Sequence, residues 1–305
     1  MHDVIIIGAG PAGYTAGIYC ARARHDTLLI SGILPGGQLM NTTDVENYPG
    51  FSDGIMGPDL MTVMRKQTEK MGTKIIDDEV TSVDFKNNPL KVKTASEEFE
   101  ARAVIVCTGA NPRKIGLDGE QTFAGKGVSY CATCDGAFFR DQELIVVGGG
   151  DSAMEEAIFL TKFASAVHIV HRKGEFRASK IMQERALSNE KIKIHFNSTV
   201  KEIHGDQKFQ QVVLNNTKTN EDKILEAGGL FIAIGHEPNS TIFQDQIELD
   251  ENGYIIIKNN TETSVTGVFC AGDVHDHRYR QAVTAAGFGC MAAIDVDKYL
   301  SESDT

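Results

Sequence analysis

A glycine pattern that occurs twice constrains this 305-residue chain more than any other feature. Residues 4–13 read VIIIGAGPAG and residues 144–153 read LIVVGGGDSA, so Gly8, Gly10 and Gly13 recur 140 positions later as Gly148, Gly150 and Ala153. In each copy the apolar run predicts a short buried strand and the glycines a tight turn. The periodicity that follows predicts helices over 12–24 and 152–164. Pro11 suits the first turn of a helix, where its missing N–H costs nothing. Further strands are expected at 27–30 and 167–170, which makes each copy the start of a βαβ unit.

A second duplication marks where each unit closes. Residues 103–112 read AVIVCTGANP and 229–238 read GLFIAIGHEP, with Gly109 and Pro112 returning as Gly235 and Pro238. Between the two ends the first unit predicts a helix over 59–71, stopped by Gly72, and β-rich sequence over 73–94. The second predicts a helix near 178–188 and strands over 192–225. The remainder holds one strand-like run, 267–271, ahead of a long helix, and is too short for a comfortable domain of its own. It is expected to complete one of the two units. The fold class is therefore α/β, with two Rossmann-like dinucleotide domains, the second inserted into the first. The expected boundaries are 1–112, 113–240 and 241–305.

Each glycine turn has a specific physical use. One glycine makes the turn, another lets backbone approach a pyrophosphate, and the helix start presents N–H groups and a positive dipole to its charge. Two dinucleotides are expected. The second unit carries Arg172, Lys173, Arg177 and Lys180 against the single acid Glu175 between His171 and Lys180, a local +3 in a chain of net −12. Cations where NAD enzymes place a carboxylate favour the 2′-phosphate of NADP. The first unit reaches Ile30, Ser31 and Gly32 without the usual acid, which leaves its ligand open at this level. Asp273, between Gly272 and Val274 after an apolar run, suits a flavin's polyol chain, and the helix opened by Arg280, Gln281 and Ala282 suits its ring.

Cys131 and Cys134 are two residues apart, a spacing that lets both sulfurs meet at disulfide distance. They fall at an expected helix start, where thiol pKa values drop. Zinc is the rival reading, but a structural zinc site needs four ligands and no second C-x-x-C supplies them. Asp135 reads equally as a helix cap or as a general acid for a thiolate. Cys20, Cys107, Cys270 and Cys290 sit in apolar or small-residue runs and are assigned no chemistry.

Charge and composition narrow the rest. A net charge of −12 disfavours nucleic acid and anionic membranes as partners. The longest apolar runs fall far short of the ~20 residues of a membrane span. A strand expected within three residues of Met1 leaves no room for a signal region, and six cysteines are too few for a stapled secreted scaffold, so a cytoplasmic location is expected.

Taken together, the motifs GAGPAG, CATCDG, GGGDSA, HRKGEFRASK and GDVHDHRYRQA make the chain resemble the low-molecular-weight, bacterial-type thioredoxin reductases over its whole length. These belong to class II of the pyridine nucleotide-disulfide oxidoreductases. The resemblance implies that FAD is held by Gly8, Gly10, Pro11, Ala12 and Gly13, by the stretch 31–38 with Ser31, Gly37 and Gln38, by Asn47, Thr108 and Gly109, and by Gly272, Asp273, Arg280, Gln281 and Ala282. It implies that NADPH is held by Gly148, Gly150, Asp151, Ser152 and Ala153 together with His171, Arg172, Lys173 and Arg177. The family commonly has two successive arginines after the histidine. Here the second is Lys173, which keeps the charge and loses the planar fork.

The implied catalytic residues are Cys131, Cys134 and Asp135, while a family histidine maps onto His236, to which no role is assigned. Electrons would pass from NADPH through FAD to the cysteine pair, with Cys134 nearest the flavin ring and Cys131 attacking the disulfide of thioredoxin. A domain rotation and a homodimer formed through the FAD domain are also implied. The rival readings are a sister flavoprotein with a peroxiredoxin-type or ferredoxin-linked partner, and a non-catalytic FAD-binding sensor. The intact cysteine pair and basic run count against the sensor.

Overall fold

The strand β1 (His2–Ile7) is apolar at four successive positions because both of its faces are covered. Val4 and Ile6 enter one core, Ile5 and Ile7 another. In the computed structural model the described residues are 1–32 and 35–303. Ile33 and Leu34, within the 31–38 stretch implied for FAD, and Asp304 and Thr305 lie outside them.

After the glycine turn comes α1 (Pro11–Arg22), which stops short of the expected 12–24 because Arg24 takes a left-handed φ of 69°. β2 (Thr27–Ile30) runs parallel to β1, with Leu28 opposite Ile5. A short antiparallel pair, β3 (Asp44–Val45) and β4 (Ile55–Met56), precedes α2 (Gly57–Met71). That helix ends at Gly72, whose φ of 111° suits glycine. β5 (Lys74–Ile76) joins β2, and the antiparallel strands β6 (Val80–Asp84) and β7 (Leu90–Thr94) lead into β8 (Glu98–Val106). The first part of β8 pairs antiparallel with β7 and the rest parallel with β1.

The second unit repeats the plan. From its entry to its exit the elements are β9 (Ala110–Pro112), α3 (Asp118–Thr122), β10 (Val128–Ser129), α4 (Ala132–Asp135), β11 (Glu143–Val147), α5 (Asp151–Leu160), β12 (Ala166–Val170), α6 (Lys180–Leu187), β13 (Ile192–His195), β14 (Ser198–Gly205), β15 (Phe209–Asn216), β16 (Asp222–Glu226), β17 (Gly229–Ile232) and β18 (His236–Pro238), with β9 and β18 straddling its two boundaries. A parallel sheet of order β10-β17-β11-β12-β13 has α5 on one face, reached by Leu144 and Val146. On its other face Ile145 and Val147 meet the antiparallel sheet β14-β15-β16. α5 ends four residues before the expected 164. There the Lys162 and Phe163 amides donate to carbonyls three residues back, those of Phe159 and Leu160, so the last turn tightens, and the Lys191 ammonium satisfies the terminal carbonyls of Thr161 and Ala164 at 2.9 and 2.8 Å. β9 and β18, at the two passages of the chain, pair with each other.

The chain then returns to the first unit. β19 (Val268–Cys270) extends the sheet on β8, and α7 (Ala282–Ser303) packs on α1. Small residues permit that close approach: a Cβ at Gly289 would lie 2.1 Å from the Ala12 carbonyl oxygen. The two compact units are Met1–Asn111 with Glu237–Thr305, and Pro112–His236. Among the described residues no helix is long and apolar enough to cross a membrane.

Candidate active site

The two glycine turns open on the same close contact with a carbonyl, although only Gly8 takes a left-handed φ. Gly8 has a φ of 106°, and a Cβ there would lie 2.3 Å from the Cys107 carbonyl oxygen. A Cβ at Gly148 would lie 2.4 Å from that of Ala233. Gly10 and Gly150 differ from these: no heavy atom lies within 4 Å of where a Cβ would sit. Each is the N-cap of its helix, in extended conformation and with no side-chain cap. The first amides of α1 and α5 thus face open space without a capping side chain, the geometry that suits a pyrophosphate.

Around the first turn the structure assembles most of the residues expected for FAD. The Gly36 amide donates to the Ala9 carbonyl at 2.9 Å, which lays the 3-10 turn Gly37–Asn41 beside Gly10. Gln38 donates to Asn111 at 2.7 Å and Asn111 to Asn239 at 2.9 Å, while the Thr108 hydroxyl donates to the Asn239 carbonyl at 2.6 Å. Asn47 approaches Gln281 at 3.4 Å. Gly109 has a φ of 70° and open space at its Cβ position. Ser31 behaves otherwise, since its hydroxyl is given to Asp77 at 2.7 Å and Asp77 is gripped by Arg65 at 2.8 and 3.0 Å.

At the end of β19, Asp273 has a buried carboxylate oxygen with no hydrogen-bond partner among the described residues. Burial first, then the nearby Asp276 charge, pushes its carboxyl up to about 7. Asp276 itself accepts the amides of Arg278, Tyr279 and Arg280, which shapes the approach to Gln281 and Ala282 at the start of α7. An orphaned buried acceptor and an open helix start in one unit fit a dinucleotide with a hydroxylated chain, as FAD has.

In the second unit Ala153 is fully buried and Ser152 lies in the first turn of α5. Asp151 accepts both the amide and the hydroxyl of Ser179, each at 2.8 Å. The Gly149 carbonyl accepts the Arg177 and Ala178 amides at 2.7 and 3.1 Å, so the basic loop folds back on the turn. His171 is buried over Gly149 and bonds the Glu175 carbonyl at 3.0 Å, and burial lowers its pKa. That bond helps to close the loop. Arg172, Lys173 and Arg177 are exposed and carry the positive charge.

Cys131 and Cys134 form a disulfide, with Cα atoms 5.3 Å apart. The expected helix start is only the single turn α4, so a helix dipole contributes little here. A direct bond does more, because the Cys134 amide points at the Cys131 sulfur at 3.2 Å. Asp135 precedes the 3-10 turn Gly136–Phe139, but its side chain caps none of that turn's amides. Its carboxylate accepts the Ser129 hydroxyl at 2.6 Å, and burial raises its pKa while that bond lowers it. The remaining cysteines are unpaired thiols, and burial pushes Cys20 up to about 12. His236 lies in β18.

Three residues in this geometry escaped the sequence reading. Asn239 follows the duplicated G-x-x-P ending, a signal that was available. Asp77 and Ser129 belong to no motif, and only folding brings them to Ser31 and Asp135.

Comparison with known proteins bears on the whole chain. The family model for pyridine nucleotide-disulphide oxidoreductase matches residues 2–289. A thioredoxin reductase of Streptomyces clavuligerus is 54% identical over 307 residues, covering 99% of this chain and 94% of the relative. The structure of thioredoxin reductase from Giardia duodenalis superimposes with a TM-score of 0.95 at 43% identity, covering 98% of this chain and 99% of that one. That from Streptococcus pyogenes MGAS5005 gives 0.94 at 44% identity, covering 99% of each. The chain therefore belongs to the pyridine nucleotide-disulphide oxidoreductase family, among the bacterial-type thioredoxin reductases, enzymes that use FAD and NADPH.

Proposed function

We propose that this chain passes two electrons from NADPH to the disulfide of thioredoxin by way of FAD and the Cys131–Cys134 pair. The observation that carries the reading is that disulfide, followed in the chain by the half-buried Asp135, whose carboxylate is tied through Ser129 to the Cys131 amide, in a chain with two open glycine turns. FAD is assigned to the first unit, where Gly10 and Gly109 leave space and Asp273 has an unused acceptor. NADPH is assigned to the second, at Gly150 and the exposed Arg172, Lys173 and Arg177. The chemistry these groups supply when bound is delivery of an electron pair to a disulfide.

The protein's own part is proton and thiolate management. When two electrons open the Cys131–Cys134 bond, two sulfurs are left that together need one proton to become a thiol and a thiolate. Asp135 supplies that proton. The Cys134 amide, 3.2 Å from the Cys131 sulfur, favours the thiolate there. Cys131 attacks the thioredoxin disulfide and forms a mixed disulfide, expelling one thioredoxin thiolate. Cys134, the cysteine that would exchange electrons with FAD when it is bound, then attacks Cys131 and releases the second. Cys134 gives up its proton to the first thiolate as it attacks, solvent protonates the second and returns a proton to Asp135, so thioredoxin leaves as a dithiol and the pair is restored.

The same proposal places the protein in the cytoplasm, in keeping with its four unpaired cysteines, and makes it a homodimer. Tyr19, Val283, Met291 and Ile294 are large exposed apolar residues of the first unit and support a partner there. The test is Cys134→Ser holoenzyme mixed with NADPH and then with oxidised thioredoxin. The flavin should bleach while thiol release falls to background. Persistent thioredoxin reduction by that variant, or a requirement for reduced ferredoxin, would remove the reading.

A further inference from the structure

The Ser129 hydroxyl joins the Cys131 backbone to the Asp135 carboxylate, and the mechanism above does not use it. Ser129 ends β10, whose parallel pairing to β17 sets Ser129 opposite Phe231 and fixes its backbone. It is 5% exposed. Its oxygen accepts the Cys131 amide at 3.0 Å, and its hydrogen has two possible destinations. The Asp135 carboxylate is 2.6 Å away, while the Cys131 carbonyl is 3.4 Å away. The shorter contact lies in the range of a charge-assisted O–H···O⁻ bond, so the single proton goes to Asp135.

We propose that Ser129 is a positioning residue for the proton-transfer step: held by the Cys131 amide, its hydroxyl fixes the Asp135 carboxyl beside the cysteine pair and governs when that carboxyl holds its proton. The inference rests on the reading of Asp135 as the proton donor. Two opposed influences act on Asp135, burial favouring its neutral form and the Ser129 bond favouring the carboxylate. The element packed on α4 is α5, which bears Asp151, Glu155 and Glu156, and the 3-10 turn Gly136–Phe139 bears no charge. None of those three acids figures among the causes of the Asp135 shift. Without Ser129, burial would act unopposed by that bond. Asp135 would keep its proton to higher pH, and the tie between the Cys131 backbone and the carboxyl would be gone.

The test compares Ser129→Ala, Ser129→Thr and Asp135→Asn holoenzymes by two readouts. One is the pH titration of the protonated carboxyl band in difference infrared spectra of the oxidised enzyme, assigned by its loss in Asp135→Asn. The other is the alkaline limb of the rate at which the cysteine pair is reduced. Ser129→Ala should move both upward by about one pH unit, and Ser129→Thr should restore both. A purely structural role would lower yield or melting temperature and leave both midpoints in place, and that result overturns the proposal. Should Ser129→Ala fail to accumulate, Ser129→Cys supplies a weaker donor and must move the limb upward while Ser129→Thr leaves it. If Asp135→Asn leaves the rate and its limb unchanged, Asp135 is not the donor. The infrared midpoint of Ser129→Ala then still reports separately whether the hydroxyl holds the carboxyl.

Discussion

The two glycine turns share their close and open positions and differ in the backbone of the first glycine and in what closes behind them. In both, the first glycine avoids a carbonyl and the second leaves open space. At the third position the first unit has no room at all, since a Cβ on Gly13 would lie 1.9 Å from the Gly8 carbonyl oxygen. The second unit carries Ala153 there, and its Cβ fills the space a side chain on Gly148 would need. A second contrast lies at the strand ends. In the first unit Ser31 is bonded to Asp77, whose charge Arg65 offsets, whereas the second presents three exposed cations. The turn thus specifies a pyrophosphate, and the neighbourhood of the next strand specifies which dinucleotide.

The largest expected effect tests the third position. Gly13→Ala should destabilise the first unit by at least about 3 kcal/mol and yield protein without bound flavin. Ala153→Gly should cost only about 1 kcal/mol, read as a small drop in melting temperature with flavin retained. Equal tolerance at both sites would break the contrast.

A smaller effect sharpens the contrast at the strand ends. Arg172→Ala combined with Arg177→Ala should weaken NADPH binding by about 10- to 100-fold, measured by equilibrium titration, and leave NADH nearly unchanged. Equal losses for the two nucleotides would show that the loop does not read the 2′-phosphate.

The smallest effect concerns stability against pH in the second unit. His168 donates to Glu143 at 2.7 Å and meets the His195 ring nitrogen at 2.8 Å. Burial first, then the His168 charge, holds His195 at about 4. A histidine whose folded pKa is depressed takes up its proton more readily unfolded. Its cost to stability is therefore absent above its unfolded pKa of about 6.5 and grows as pH falls toward 4. Melting temperature should decline over that window, and His195→Gln should shallow the decline. A variant with the same slope as the parent would sink the assignment.

Much of the architecture could be read from one dimension. Strand, turn and helix at 4–24 and 144–160 follow from apolar runs and glycine spacing, because those signals are local to the backbone. The limits of the helices were less legible. α5 closes early in a tightened turn whose terminal carbonyls Lys191, far along the chain, satisfies, and no periodicity within α5 announces it. Within the candidate site the cysteines and glycines carried their own signatures. The partners that set their behaviour did not: Asp77 reaches Ser31 from the end of β5, and Asn239 reaches Thr108 across 131 positions.

The sequence by itself determined the two dinucleotide turns, the cysteine pair and the local excess of positive charge, since each is a matter of residue type at fixed spacing. Only the tertiary structure decided that Ser129 rather than a helix amide meets Asp135, that His171 helps to close a loop, and that Asp273 is left with a buried, unused oxygen. Hydrogen-bond partners and desolvation depend on which segments are brought within about 3 Å of one another, and spacing along the chain does not encode that.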